Sequence, residues 1–317
     1  MTNKEKYNIF CQSEKDMPIF SKPYWLDALC GVENWDVILL EEQGEIIASM
    51  PYYFKLEWGF SIIKMPILTQ KLGPFIKYPM NQSYSKKLSF EKKILTKIII
   101  ELPKFHSFNQ NFNYSQKNWL PFFWKKFKQT TRYTYVIDDL TNLNEIYSNF
   151  DRSKKKNIKK AEKIIKIRYD LSANEFYENH KMTLKKQGIL ISYSMDTFVK
   201  MYNCCYSNNS GRTIYAVDTE GTIHGALFVI WDENSAYNLI STIDPETRNS
   251  GAASLLVKEI IGFVSTVTKK FDFTGSMDEN IEQSIRKFGG VQTQYYKVYK
   301  YNNVFFKIFE LLKEVIK

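Results

Sequence analysis

In "TRNSGAASLL", residues 247–256, an arginine stands three positions before a glycine, small residues follow, and an apolar helix begins. A turn alone needs no arginine there. A helix alone would not open on so many residues without side-chain bulk. The first turn of a helix exposes unpaired N–H groups and the positive end of the macrodipole. Small residues let a phosphate approach that backbone, and a nearby arginine adds a charge-assisted contact. Arg248, Asn249, Ser250, Gly251, Ala252 and Ala253 are therefore expected to cradle a pyrophosphate. Small residues that merely cap a helix are the plainer alternative.

Working outward, the turn follows three strand patterns at 212–218, 222–232 and 236–243 and precedes a helix over about 251–268. The first two strands flank Glu220-Gly221 and read as a β-hairpin. "WDVILLEEQGEIIASMPYYF" (35–54) reads the same way around Gln43-Gly44. With Gly44 aligned on Gly221, Leu40 meets Val217, Glu41 meets Asp218, Ala48 meets Gly225 and Met50 meets Leu227. The spacing implies a duplicated unit with a period near 177 residues. Around these hairpins the pattern predicts helices over 23–29, 89–105, 153–165, 174–187 and 280–289. Further strands are predicted at 131–140, 271–275 and 291–301. The fold class is α/β with α+β mixing, in two domains, 1–145 and 146–317.

The chain has 317 residues, 44% hydrophobic and 16% aromatic, enough for two cores and too apolar for a disordered protein. Its 44 Lys and Arg against 34 Asp and Glu give +10, which favours an anionic partner: nucleotide, nucleic acid or membrane surface. Cys11, Cys30, Cys204 and Cys205 form no C-x-x-C and read as reduced thiols. The polar start "MTNKEKYNIF" has no signal-peptide core, and no run of about 18 apolar residues exists, so a cytoplasmic protein is expected. His106, His180 and His224 are scattered and form no triad, and no Cys/His spacing points to zinc, so no metal is expected.

Arg248, Gly251 and Ala253 match the R/Q-x-x-G-x-G/A loop of the GNAT acyltransferases, and the wider chain resembles their FemAB-like branch. The resemblance is carried in order by "WLDALCGVENWDVILLEEQGEIIASMPYY", "MPILTQKLGPFI", "TRYTYVID", "RSKKKNIKKAEK", "AVDTEGTIHGALFVIWD", "DPETRNSGAASLL" and "FDFTGSM" with "IRKFGG" and "YYKVYK", nearly the whole chain. It implies two tandem GNAT-like domains, each a mixed, mostly antiparallel sheet flanked by helices. It also implies an acyl-CoA donor such as acetyl-CoA, held in the second domain. The first domain, with no such loop after its hairpin, is implied to serve the acceptor. Ser241 and Thr242 fall where strands of this superfamily splay to admit the acyl group.

Direct attack of an amine on an activated acyl carbon needs positioning, removal of a proton and stabilisation of an oxyanion. Asp272 and Ser276 flank "FDFTGS". A carboxylate between two phenylalanines reads either as a base, or orienter of one, or as half of an edge-strand ion pair. Arg286, in "IRKFG", stands where Fem-type enzymes carry a lysine, and can only stabilise charge. Arg152, Lys155, Lys156 and Lys159 recur along one side of a helix. That side is either a solvated face or a clamp for a diphosphate acceptor or RNA. Gln187 and Tyr193, in "KKQGILISYS", are expected to contact the acceptor from a loop. Val304, Phe305, Ile308, Phe309, Leu312, Val315 and Ile316 form one face of a C-terminal helix, opposite Lys307, Lys313 and Lys317. It either packs on the body of the protein or lies on a membrane.

The leading expectation is transfer of an acyl group from acyl-CoA to an amine of a nucleotide- or lipid-linked sugar in cell-envelope polysaccharide biosynthesis. The alternatives are aminoacyl transfer from charged tRNA to a peptidoglycan precursor, and a non-catalytic binding module of the same fold.

Overall fold

The computed structural model describes residues 1–275 and 277–308. The elements are α1 (Asn3–Ser13), α2 (Pro23–Cys30), β1 (Trp35–Glu42), β2 (Glu45–Glu57), β3 (Phe60–Lys64), β4 (Phe75–Ile76), α3 (Tyr84–Glu101), β5 (Ser107–Asn111), α4 (Leu120–Trp124) and β6 (Lys128–Ile137). There follow α5 (Leu143–Ser148), α6 (Arg152–Ala161), β7 (Lys166–Tyr169), α7 (Ala173–Lys185), α8 (Met195–Ser207), β8 (Gly211–Val217), β9 (Ile223–Trp231) and β10 (Ser235–Ile243). A 3-10 turn (Pro245–Ser250), α9 (Ala252–Val264), β11 (Lys270–Asp272), α10 (Glu279–Ile285) and β12 (Val291–Tyr301) complete the series. The chain forms two compact units: Met1–Arg132 with the segment from Gln294, and Tyr133–Thr293. β6 carries the chain into the second unit, and β12 brings it back to the first.

In the first unit the strands run β1-β2-β3-β5-β12, with β4 on β2. α3 buries Ile94, Leu95 and Ile98 against Met50, Ile63 and Phe108. Between β3 and α3 the chain makes turns and β4 but no helix, so this hairpin leads to no counterpart of the glycine turn.

In the second unit the order is β6-β11-β10-β9-β8-β7. Leu255, Leu256, Ile260 and Ile261 of α9 fill a core with Ile214, Leu227 and Val229. α7 and α8 bring Phe176 and Phe198, stacked at 5.4 Å, onto Phe228. α7 begins on a capping box in which Ser172 and Glu175 each bond the other's backbone N–H.

Both expected hairpins form, and they share an irregularity. β1 and β2 slip register after Leu40, whose partner is Ala48. β8 and β9 slip after Ala216, whose partner is Gly225. Ala48 and Gly225 are equivalent in the repeat, so both hairpins bulge at matching places.

Candidate functional site

β10 and β11 are parallel partners for three residues, Ser235–Tyr237 against Lys270–Asp272. β10 then runs on to Ile243, and among the described residues no strand accompanies Asn238–Ile243 on that side. At the parting point β10 carries a bulge: Asn238 faces Val229 and Ile240 faces Phe228, leaving Leu239 as the extra residue. A bulge re-aims backbone groups, and an unpaired edge presents N–H and C=O groups to a ligand.

Just past the end of the pairing, Thr274 and Gly275 both take left-handed backbone, φ 58° and 46°. A Cβ on Gly275 would stand 2.2 Å from the Tyr133 carbonyl oxygen and 2.5 Å from Thr134 Cα, so the turn is pressed against β6. Asp272, fully buried, holds it: Oδ1 accepts the Thr134 hydroxyl and, at 2.8 Å, the Thr274 amide. Thr274 Oγ1 then donates to the Asn238 carbonyl at 2.7 Å. Burial and these bonds make Asp272 an anchor of the turn. Ser276, the other residue expected beside it, lies outside the described residues.

Ser241 is exposed beside this opening, with Oγ accepting from Asn238 Nδ2 at 3.0 Å. Thr242 is different. It is buried against α7, bonding Asn179 Oδ1 at 2.8 Å and Thr183 Oγ1 at 2.9 Å, so it ties a helix to the strand.

At the end of β10, Asp244 caps the 3-10 turn. Burial raises its carboxyl pKa, but bonds from Lys186 (2.8 and 3.0 Å) and the Glu246 amide outweigh that and hold it below the usual range. Arg248 is exposed and has no hydrogen-bond or ion-pair partner among the described residues. Asn249 is exposed, Ser250 is buried with Oγ accepting the Ala252 amide at 3.2 Å, and Gly251 is left-handed at φ 86°. A Cβ on Gly251 would stand 2.3 Å from the carbonyl oxygen of Asn157 on α6. The glycine is therefore required by a helix packed on the turn, which walls off one side of the expected cradle.

Of α6, it is Asn157 and Lys160 that meet this turn; Lys160 Nζ donates to the Asn249 carbonyl at 2.7 Å. Arg152, Lys155, Lys156 and Lys159 are exposed; Lys155 reaches the Ser148 carbonyl at 2.6 Å, and the other three have no partner among the described residues. Arg286 is exposed on the 3-10 turn after α10, 3.7 Å from Glu282, which also accepts the Tyr135 hydroxyl. Gln187 is exposed and bonds the Thr183 carbonyl at 3.0 Å.

Tyr193 lies against α7, where its hydroxyl meets His180 Nδ1 at 2.7 Å. Burial pushes the His180 pKa down to about 4 and raises that of Tyr193. The sequence shows both His180 and Tyr193 but not their pairing, because they stand thirteen residues apart across a loop. His224 is a buried strand histidine, 2.9 Å from Asp218. Among the described residues no cluster could hold a metal, and no helix is long and apolar enough to cross a membrane.

One buried cation on α6 gives a test of this packing. Lys154 is 9% exposed, with Nζ 2.9 Å from Ser284 Oγ and 4.2 Å from the Phe288 ring centroid. Burial, helped by Lys287 and opposed by Asp151, lowers its pKa to about 8. Below pH 8 the lysine is charged in both states and its burial penalty is present in full. Between about 8 and the ordinary lysine value the unfolded chain binds the extra proton, so this group's penalty fades as pH rises. Lys154→Met is therefore expected to gain on the order of 2 kcal/mol over the parent at pH 7, with the gap closing by about pH 10. Paired urea titrations at the two pH values check this.

No family model and no curated protein sequence matches the chain. Solved structures do. A crystal structure of FemX matches at TM-score 0.69 over 93% of this chain and 96% of that one, at 11% identity. The C-terminal domain (DUF2156) of a putative lysylphosphatidylglycerol synthetase from Agrobacterium fabrum matches at TM-score 0.55 over 99% and 96%, at 9% identity. L-PGS from Bacillus licheniformis matches at TM-score 0.51 over 92% of this chain and 91% of that one, at 10% identity. At these identities the likeness is one of fold. The chain has the mixed α/β, FemAB-like GNAT fold that the resemblance implies.

Proposed function

We propose that this chain is an N-acyltransferase that moves an acyl group from acyl-CoA to an amine of a nucleotide- or lipid-linked sugar of the cell envelope. The observation that carries the reading is the parting of β10 from β11 beside the turn that bears the unpartnered Arg248. An extended, amide-bearing donor arm can pair with the free edge of β10 as an added strand would. The bulge at Leu239 supplies re-aimed backbone amides for the acyl oxygen as it gains charge. The acceptor amine attacks the acyl carbon, the thiolate leaves, and the amine's proton must be taken up. That proton passes to the departing thiolate or to solvent; His180, whose pKa burial lowers to about 4, is too weak a base to hold it. Asp272 becomes a positioning residue. The first domain, lacking the turn, is assigned to acceptor recognition.

Arg248→Ala is expected to weaken acetyl-CoA binding about 10- to 100-fold, the effect of one charge-assisted contact. Isothermal titration, or the thermal shift given by acetyl-CoA, checks it. No shift in the parent protein would defeat the acyl-CoA reading.

A second reading, aminoacyl transfer from charged tRNA to a peptidoglycan precursor, is favoured by two observations. Asn157 walls one side of the phosphate corner, and Arg152, Lys156 and Lys159 extend an unpartnered cationic face beyond what one pyrophosphate needs. It predicts tight, steeply salt-dependent binding of charged tRNA and indifference to CoA. A protein that binds neither would be a non-catalytic module.

A further inference from the structure

The first unit presents a second surface whose chemistry the transfer reaction does not use. α4 is a short helix whose inward residues are fixed by the core: Pro121 and Phe122 are buried, and Phe122 packs at 5.0 Å on Phe112 and 5.2 Å on Phe127. With those residues inside, Leu120, Phe123 and Trp124, at i, i+3 and i+4, can only point outward, and they stand 49%, 55% and 50% exposed. Leu88 of α3 adds to the same region, and Lys92 of α3 lies over the Trp124 ring at 5.2 Å. An outward face as apolar as the inward one is not needed for folding.

The charge around this face is mostly positive, with Lys93 paired to Glu42 at 3.2 Å. Lys125, Lys126 and Lys128 follow directly and are exposed, as are Lys86, Lys87, Lys92, Lys93 and Lys117. Residues 84–128 contain ten lysines and two glutamates, and one of these, Glu91, is buried and bonded to Tyr78 and Asn118. The excess of eight in this segment is most of the chain's +10. A soluble ligand would need a concavity. Nucleic acid would use the lysines and stack bases on Phe123 and Trp124, but leave Leu120 in water. An anionic bilayer uses both: indole and phenyl rings settle at the headgroup level, and lysines meet the lipid phosphates.

We propose that the α3–α4 face is a docking surface for an anionic lipid membrane. Leu120, Phe123 and Trp124 enter the boundary of headgroups and acyl chains, and Lys92, Lys125, Lys126 and Lys128 lie over the phosphates. The proposal does not rest on the identity of the acyl donor.

The test is flotation of the full chain with vesicles of phosphatidylcholine, with and without about one quarter phosphatidylglycerol. The expected result is binding to the anionic vesicles, at least about tenfold weaker without phosphatidylglycerol or at about 0.5 M salt. Phe123→Ser with Trp124→Ser should reduce the binding by about tenfold or more at unchanged circular dichroism, because both side chains are already exposed. Phe305→Ser with Ile308→Ser should leave it intact. Absence of binding to anionic vesicles overturns the proposal. So does binding that survives the α4 variant, or that is lost only in the C-terminal variant.

Discussion

Asp272→Ala is expected to destabilise the second unit by about 2–4 kcal/mol, whereas Asp272→Asn keeps most of the stability and most of the activity. The alanine leaves the Thr134 hydroxyl and the Thr274 amide without their acceptor in a fully buried place, which is the costly way to break a hydrogen bond. Asparagine retains the Oδ1 acceptor and the shape. The pair of variants separates two roles. A base would be abolished by asparagine at unchanged stability; an anchor tolerates asparagine and fails with alanine. Urea unfolding beside steady-state acyl transfer reads both, and a dead but stable Asp272→Asn would restore the base.

Gly275→Ala should cost about 2–5 kcal/mol and take the activity with it. Left-handed backbone costs a residue with a Cβ about 1–2 kcal/mol, and forcing a methyl into filled space adds about 1–3. At φ 46° the methyl would meet backbone atoms of Tyr133 and Thr134 at 2.2 and 2.5 Å, and backbone cannot swing aside as a side-chain tip can. Gly44→Ala is the matched control: it is also left-handed, at φ 82°, but has nothing within 4 Å. If both variants unfold at the same urea concentration, the turn after β11 is not under the pressure described.

The two residues explain which parts of the site could be read in advance. The last strand matches its expected limits, 291–301, because its composition and its flanking glycines are local signals. The same holds for both hairpins, whose turns carry Gly44 and Gly221 in left-handed backbone. The oddity of a carboxylate between Phe271 and Phe273 was also local, but its meaning was not: its partner Thr134 is 138 positions away. Gly251 taught the same lesson. The sequence presents a glycine at a helix start, and a phosphate is one reason for it; α6 pressed against it is another, visible only in three dimensions.

The α8 helix is legible in the sequence. α8 carries Phe198, Met201, Tyr202 and Cys205 at helical spacing behind a Ser194 cap, a signal as clear as those that were used. β7 is not: four residues at a sheet edge, three of them polar or charged, carry too little pattern. The basic run of α6 was legible as a helix. Which of its residues face the turn was not, because that depends on where α9 lies. Of the C-terminal face, Val304, Phe305 and Ile308 are exposed, and Phe309, Leu312, Val315 and Ile316 fall outside the described residues.

The route of the chain through β6 and β12 has a bearing on synthesis. Residues of the second unit are all translated by Thr293, while the first unit still waits for the strand that pairs with β5 at Ser107–Asn111. At about 5–20 residues per second, the hydrogen-bonding rim of β5 stays open for on the order of ten seconds or more after it leaves the ribosome. The later-made half can therefore mature before the earlier one. Premature stops beyond about Thr293 should yield a finished second half attached to a sticky, chaperone-dependent first.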